Sequence, residues 1–342
     1  MSASIVAVGP PGGRTIRSRL LWVVWRFERT ACIPILALIA VFAGYMTLAG
    51  TSMHDRYAAY LKNPNLFNGL SARWGEVNMS VIALHALPIV AGVFVGAPML
   101  AREFESGTYP FAWTQGVERT KFFSVRLLSV VVALALGAAV LGAVAGWWSS
   151  PFSSFGPANA WQPGQFDVSV LVLPAWTVLA LALGAWLGAI TRHVVSAMAA
   201  TTATLGVALA LVYWKVDALI RAIAPVAQQV RPGSGGWQGK IDAPAGNGVP
   251  GPTGSWVLQG WYSKPSGAVL STRAANHVTI QLDALKGFID PASWLHQHHL
   301  EYWISFQPHD RLLVLQLGTC LALVFLGTSC WVLARSALRR GA

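Results

Sequence analysis

The sequence predicts an all-α membrane protein with six transmembrane helices. Three observations carry this. Six apolar stretches recur at 31–50, 80–100, 127–148, 168–190, 194–214 and 312–334, each near the roughly 20 residues that cross a hydrocarbon core. None of them contains Asp, Glu, Lys or Arg, and His85 is their one side chain that titrates near neutral pH. The chain is 54% hydrophobic and 11% charged, whereas soluble domains carry about 25% charged residues. The expected layout adds an N-terminal interfacial helix and a small extracellular subdomain before the last helix.

Met1 to Gly13 carries no Lys or Arg and no short apolar core with a cleavage site, so it does not read as an ordinary secretory signal. Residues 14–30 read as an amphipathic helix in the headgroup plane. Arg19, Arg26 and Arg29 alternate there with Trp22, Trp25 and aliphatic side chains. The alternative is a first span that begins early, with Pro34 as the natural break.

Residues 31–214 hold spans one to five, with a charged cytoplasmic region at 101–121. Of two further outer loops, 51–79 is short and polar with aromatics, and 149–167 is rich in Ser, Pro and Gly. Residues 215–311 form the extracellular subdomain, and 312–342 the last span and a tail. Within the subdomain, 231–254 is rich in Gly and Pro and reads as irregular. Ser255–Ser263 and Gly267–Thr272 flank a turn and predict a hairpin. Residues 279–288 and 291–304 read as helical, the second starting at Asp290-Pro291.

Orientation follows from the basic residues. Arg14, Arg17, Arg19, Arg26 and Arg29 precede span one. Arg102, Arg119, Lys121 and Arg126 lie between spans two and three, Arg192 between four and five, and Arg335, Arg339 and Arg340 after span six. Six crossings put all of them on one side, which the positive-inside bias makes cytoplasmic. The expectation is a multi-pass plasma-membrane protein with both termini cytoplasmic. The net charge of +11 therefore reports topology rather than nucleic-acid binding.

Gly92/Gly96, Gly142/Gly146 and Gly184/Gly188 each form a G-x-x-x-G step that lets backbones approach closely, within one chain or between two. Pro88, Pro98 and Pro174 loosen their helices. Cys32, Cys320 and Cys330 all fall inside apolar segments and predict no disulfide framework.

Chemistry of its own is sparse. Ser234-Gly235-Gly236-Trp237-Gln238-Gly239-Lys240 lacks the first Gly of a phosphate-binding loop, and Ile241 stands where a hydroxyl residue is needed. His296, His298, His299, Glu301 and His309 suggest a metal. Yet no H-E-x-x-H occurs, and His296 and His298 point to different sides of a helix. They read instead as an amphipathic outer helix with Trp294, Leu295, Tyr302 and Trp303. No catalytic residue, metal site or cofactor of the chain's own is expected. Transporters that couple to ions keep costly ionisable groups in the bilayer, so any transport here draws its energy from outside it.

The most informative stretch is Arg102-Glu103-Phe104-Glu105-Ser106-Gly107-Thr108, followed by Phe111-Ala112-Trp113-Thr114-Gln115-Gly116-Val117-Glu118-Arg119-Thr120-Lys121. Its Glu-x-Gly-Thr element after span two resembles the permeases of ABC-2-type exporters, in the actinobacterial branch. Phe306-Gln307-Pro308-His309-Asp310-Arg311 before the last span is similar to a further element of that branch. The resemblance implies that residues 101–108 form a coupling helix that docks on an ABC ATPase. Glu103 and Glu105 would face basic residues of that partner, Arg102 would pair back, and Gly107 and Thr108 would end the helix, with Phe104 and Arg119 in the same region. The interfacial helix would be a second contact. ATP and magnesium would sit on two ATPase chains beneath two permease copies, or a permease and a sister chain. The cargo would be a hydrophobic small molecule, peptide or lipid. Two rivals are a ligand-sensing membrane subunit coupled to an ATPase, and a metal-dependent membrane enzyme using the His-rich segment.

Overall fold

The computed structural model describes residues 16–63, 66, 73–106, 119–152, 163–222, 226–230, 256–284 and 291–340. The phosphate-loop-like stretch at 234–241, the Gly/Pro-rich 231–254, and Gly107, Thr108 and the rest of 107–118 lie outside them. Six helices are long and apolar enough to cross a membrane, at Glu28–Lys62, Gly75–Glu105, Thr120–Ser149, Val172–Thr191, Val194–Val212 and Asp310–Arg340. They match the six expected spans, and the protein is an all-α membrane protein. Six crossings bring the start of the first described helix and the end of the last, Ile16 and Arg340, to one face, the terminal face.

Helix α1 (Ile16–Lys62) is continuous through Pro34. The sequence suggested an interfacial helix, a span and a polar loop; the structure makes one helix of all three. Its 47 residues reach roughly 70 Å at 1.5 Å per residue, more than the whole bilayer, so α1 projects from the membrane or tilts within it. Proline does not end the helix, because losing one donor opposite the Thr30 carbonyl costs less than breaking so long an apolar run.

The second span is α2 (Trp74–Ala91), one π-helical turn (Gly92–Gly96) and α3 (Ala97–Glu105). At the turn, the Ala97 N–H donates to the Gly92 carbonyl five residues back. Pro98 follows at the start of α3, where its ring would crowd the carbonyl four residues earlier, and a widened turn relieves that. Then come α4 (Arg119–Ser149), the short α5 (Pro163–Asp167), α6 (Val172–Thr191) and α7 (Val194–Ala222).

Helix α6 is the hub. Of its most apolar stretch 72% is buried, against 22% for α1, 17% for α7 and 11% for the last helix, so these three face lipid or another chain. It packs against the second, third, fifth and sixth spans, while α1 rests mainly on α4. The crossing of α6 with the second span is glycine on glycine. A Cβ on Gly92 would lie 2.8 Å from the Ala180 carbonyl oxygen, and one on Gly96 2.7 Å from that of Leu181. In return, a Cβ on Gly184 would strike the Gly92 carbonyl, and one on Gly188 the Ala97 carbonyl. Two of the G-x-x-x-G steps therefore meet each other within one chain. Gly142 has a different partner, the carbonyls of Val168 and Ser169, and Gly146 meets nothing.

Beyond α7 the chain builds a small subdomain on the face opposite the termini. Strands β1 (Val226–Val230), β2 (Trp256–Ser263) and β3 (Glu301–Gln307) form an antiparallel sheet in the order β1-β3-β2. Helices α8 (Thr272–Ala284) and α9 (Pro291–Gln297) accompany it, and α10 (Asp310–Arg340) is the last span. The strand at 256–263 matches the sequence reading, and its turn survives as a Ser263–Val269 bridge. Its principal partner is β3, which the sequence suggested was helix to residue 304. The reason is the period. Tyr302, Ile304 and Phe306 alternate inward and join Tyr262, Val278, Leu282, Trp294 and Leu295 in one apolar cluster, which suits a strand. The helix stops at Gln297, and His299 takes a left-handed φ of 52°.

Substituting Gly184→Ala should lower the unfolding temperature of the purified chain markedly, at a cost of about 1–3 kcal/mol from overpacking against backbone. Gly146→Ala, facing open space, should leave it within a degree or two. Equal effects in a detergent melt would refute the crossing.

Candidate functional site

The candidate site lies at the terminal face, where the second span ends. Three consecutive side chains of α3 reach three different parts of the bundle. The Glu103 carboxylate accepts from Arg126 of α4, and the same guanidinium bonds Glu28 of α1 and, at 3.1 Å, the Met99 carbonyl. The Phe104 ring lies under the Arg192 guanidinium, 5.5 Å away, at the turn between α6 and α7. The Glu105 carboxylate accepts from the Val194 N–H at 2.8 Å, capping the first turn of α7.

Each contact has a local cause. Arg126 lies two turns into α4 and is only 14% exposed, with Glu28 at 6% and Glu103 at 32%. Two carboxylates share one guanidinium, so removing it would leave both without their counter-charge in a half-buried place. Arg192 ends α6 with a left-handed φ of 58°, which turns the chain back at once and sets its side chain over Phe104. The N-terminus of α7 has free N–H groups and a partial positive charge, which a carboxylate satisfies. Ser106 closes α3 on itself, its N–H and hydroxyl both bonding the Arg102 carbonyl.

The residues singled out in the sequence thus separate. Glu103 and Glu105 have partners inside the chain, so neither is simply presented outward. Arg102 is exposed and pairs with neither glutamate among the described contacts. Arg26 and Arg29 are exposed on α1. Arg19, Trp22, Trp25 and Arg119 are placed only as helix positions. Glu28 was missed altogether, although it is the one acid among five arginines in the N-terminal arm, and that isolation was a signal. Arg126 stood in the charged patch without an assigned role.

Above this knot a groove of about 480 Å³ opens between α1 and the second span, lined by Ala31, Pro34, Leu38, Val90 and Phe94, with Thr30 and Arg102 at its charged end. A smaller cavity of about 60 Å³ shares Leu38 and Val90 with it and reaches Leu84, Leu87 and Leu141. The walls are apolar and one end is cationic.

In the subdomain, His298 lies against an aromatic neighbour, while His296 and His299 are exposed. His298 stacks on Trp294 with ring centroids 3.8 Å apart and bonds its carbonyl, and Glu301 accepts from the Trp303 indole. Among the described residues, no three His, Cys, Asp or Glu side chains are grouped to hold a metal.

The six apolar stretches hold no Asp, Glu, Lys or Arg, as the sequence indicated, but ionisable groups are buried just beyond their ends: Glu28 and Arg126 at one end of the bundle, and Asp167, 3% exposed, at the other. Asp167 precedes the expected fourth span by one residue, and Glu28 the expected first span by three, so neither fell inside an apolar stretch.

The bundle defines a multi-pass membrane protein. The chain belongs to the ABC-2 membrane transporter related family, whose model matches residues 36–216. It is accordingly the permease of an ABC-type transporter, a membrane subunit whose family implies ABC ATPase partners. No curated protein and no solved structure matches it.

Replacing Arg126 by Ala should destabilise the chain by about 3–5 kcal/mol, because two carboxylates lose their cation. Adding Glu28→Gln and Glu103→Gln should recover much of the loss in the same melt. Additive losses would show that the three do not act together.

Proposed function

We propose that this chain is the permease of an ATP-driven exporter, working as a pair of membrane subunits above two ATPase chains that bind ATP and magnesium. The terminal face is the cytoplasmic one in this reading, and both termini lie there. The observation that carries it is the triple attachment of Glu103, Phe104 and Glu105. A protein pressing on the end of α3 moves α1 and α4 through Arg126, and α6 and α7 through Arg192 and Val194. That is what a coupling element must do: convert a push from a soluble motor into a rearrangement of several spans.

The division of labour within residues 101–108 follows from exposure. Arg102 meets the partner, with Lys121 as a second exposed cation in the first turn of α4. Glu103 and Phe104 transmit, and Glu105, half docking and half cap, does both. The interfacial stretch of α1, with Arg19, Trp22, Trp25, Arg26 and Arg29, supports the same face against headgroups. Gly107 and Thr108 would end the coupling helix, and Arg119 opens α4.

The cargo is hydrophobic or amphipathic. The α1 groove supports this, because an apolar trough with a cation at its cytoplasmic end suits a molecule with a greasy body and a polar or anionic head. No phosphate-binding loop lies among the chain's own motifs, so hydrolysis belongs to the partner.

Mild-detergent purification from the native host should recover a nucleotide-binding chain in stoichiometric amount. Arg102→Glu and Glu105→Lys should each lower its recovery about tenfold or more, the scale of losing a charged interfacial contact. Lys264→Glu, exposed on the opposite face, should leave it unchanged. Full recovery with both cytoplasmic variants would defeat the docking reading. ATP-dependent uptake of a hydrophobic dye into inverted vesicles separates export from mere association.

A further inference from the structure

A second buried polar site lies at the other end of the bundle. Helix α5 folds back against α2 and delivers Asp167 next to His85. The Asp167 Oδ2 and His85 Nε2 are 3.9 Å apart, too far for a hydrogen bond. His85 Nε2, Asp167 Oδ1 and the Trp176 indole Nε1 are all buried and lack a hydrogen-bond partner. Three such atoms around one point are unusual, since buried polar groups are nearly always paired.

The tautomer of His85 decides what the site needs. Its Nδ1 is 2.8 Å from the Val81 carbonyl, which only accepts, so the ring proton sits on Nδ1. Neutral His85 therefore turns a lone pair on Nε2 toward the carboxylate. An ionised Asp167 would place a second acceptor opposite the first. One proton resolves this, held by the carboxyl group with its O–H turned toward the Nε2 lone pair.

We propose that His85 and Asp167 form a proton-binding site that takes one proton from solution between Nε2 and the carboxylate, and that losing it loosens α5 from the second span. Among the described residues, the elements packed on this site supply no other charge: α4, which touches α5 through Ser149 and Gln165, carries its Arg119, Lys121 and Arg126 at the far end. On α2, Glu76 is paired with Arg73. Helix α6 has no Asp, Glu, Lys, Arg, His or Cys, and the described side chains of α7 have none. Burial pushes the Asp167 carboxyl up to about 7, with the Trp176 N–H opposing the rise from nearby without reaching hydrogen-bond geometry. The arrangement is tight: a Cβ on Gly164 of α5 would meet Val81 at 3.1 Å and the His85 ring at 4.0 Å.

The sign of the linkage follows. Asp167 binds its proton more tightly folded than unfolded, where its value is near 3.8. Stability from this group is complete below that value and is lost as pH rises through about 7.

The test is infrared difference spectroscopy of the full chain in lipid nanodiscs in choline chloride, titrating the carboxylic-acid carbonyl stretch from about pH 5 to about pH 9. The expected result is a band that fades near neutrality, is absent in Asp167→Asn, and moves by about a pH unit or more in His85→Gln. Trp176→Phe should shift its midpoint upward. In parallel, the wild-type unfolding temperature should fall as pH rises through neutrality, and that of Asp167→Asn should not. A band that titrates only near pH 4, as for an exposed Asp, overturns the proposal, as does a midpoint indifferent to His85→Gln. Loss of the band when sodium replaces choline at constant pH would make a metal cation the ligand and overturn the proton assignment.

Discussion

The close approach of the second span to α6 is the constraint on which the bundle depends. In lipid, apolar side chains gain nothing by leaving hydrocarbon for one another, so helix association rests on packing and polar contacts. Backbone-to-backbone contact at Gly92, Gly96, Gly184 and Gly188 is the tightest packing available. It fixes α6 at the centre, and the remaining spans arrange themselves around it. The π turn occupies the same residues, Gly92–Gly96, so the widened turn and the close crossing are one feature. A wider turn presents its carbonyls sideways, where Gly184 has no side chain to obstruct them.

From that crossing the position of α3 follows, and from α3 the coupling site. Because Gly188 meets Ala97, the last two turns of the second span are held against the end of α6. This brings Phe104 to Arg192 and Glu105 to the first turn of α7. On its other side α3 faces the starts of α1 and α4, where Arg126 collects Glu28 and Glu103. A short helix gripped on both sides cannot move alone. Its exposed Arg102 borders the groove along α1, so the proposed ATPase contact and the proposed cargo path share an edge.

Charge was legible in the sequence, but its pairing was not. The patch after span two stood out because Glu103, Glu105 and Arg102 lie beside apolar runs. Glu28 is 98 residues from Arg126, and no local spacing announces such a pair. Asp167 escaped for a related reason. Averages over apolar stretches find helices that cross, whereas α5 is a five-residue helix that folds back and buries its acid against a neighbour. In the subdomain, β3 was hidden by its aromatic residues, which fit either period over so short a run. The strand was decided by partners at 226–230 and 256–263.

The sequence by itself determined that the chain crosses the membrane six times, where each crossing lies, and which inter-helix segment carries mixed charge. These are properties of composition along twenty-residue stretches, and the bilayer enforces them without reference to neighbouring helices. Only the tertiary structure decided that α1 runs unbroken past Pro34, that two glycine pairs meet within one chain, and that the glutamates of α3 bind their own bundle. It also decided that His85 faces a buried carboxylate. Each of these depends on which atoms come together across many residues of chain, and hydrogen bonds, ion pairs and backbone contacts of that kind leave no periodic trace.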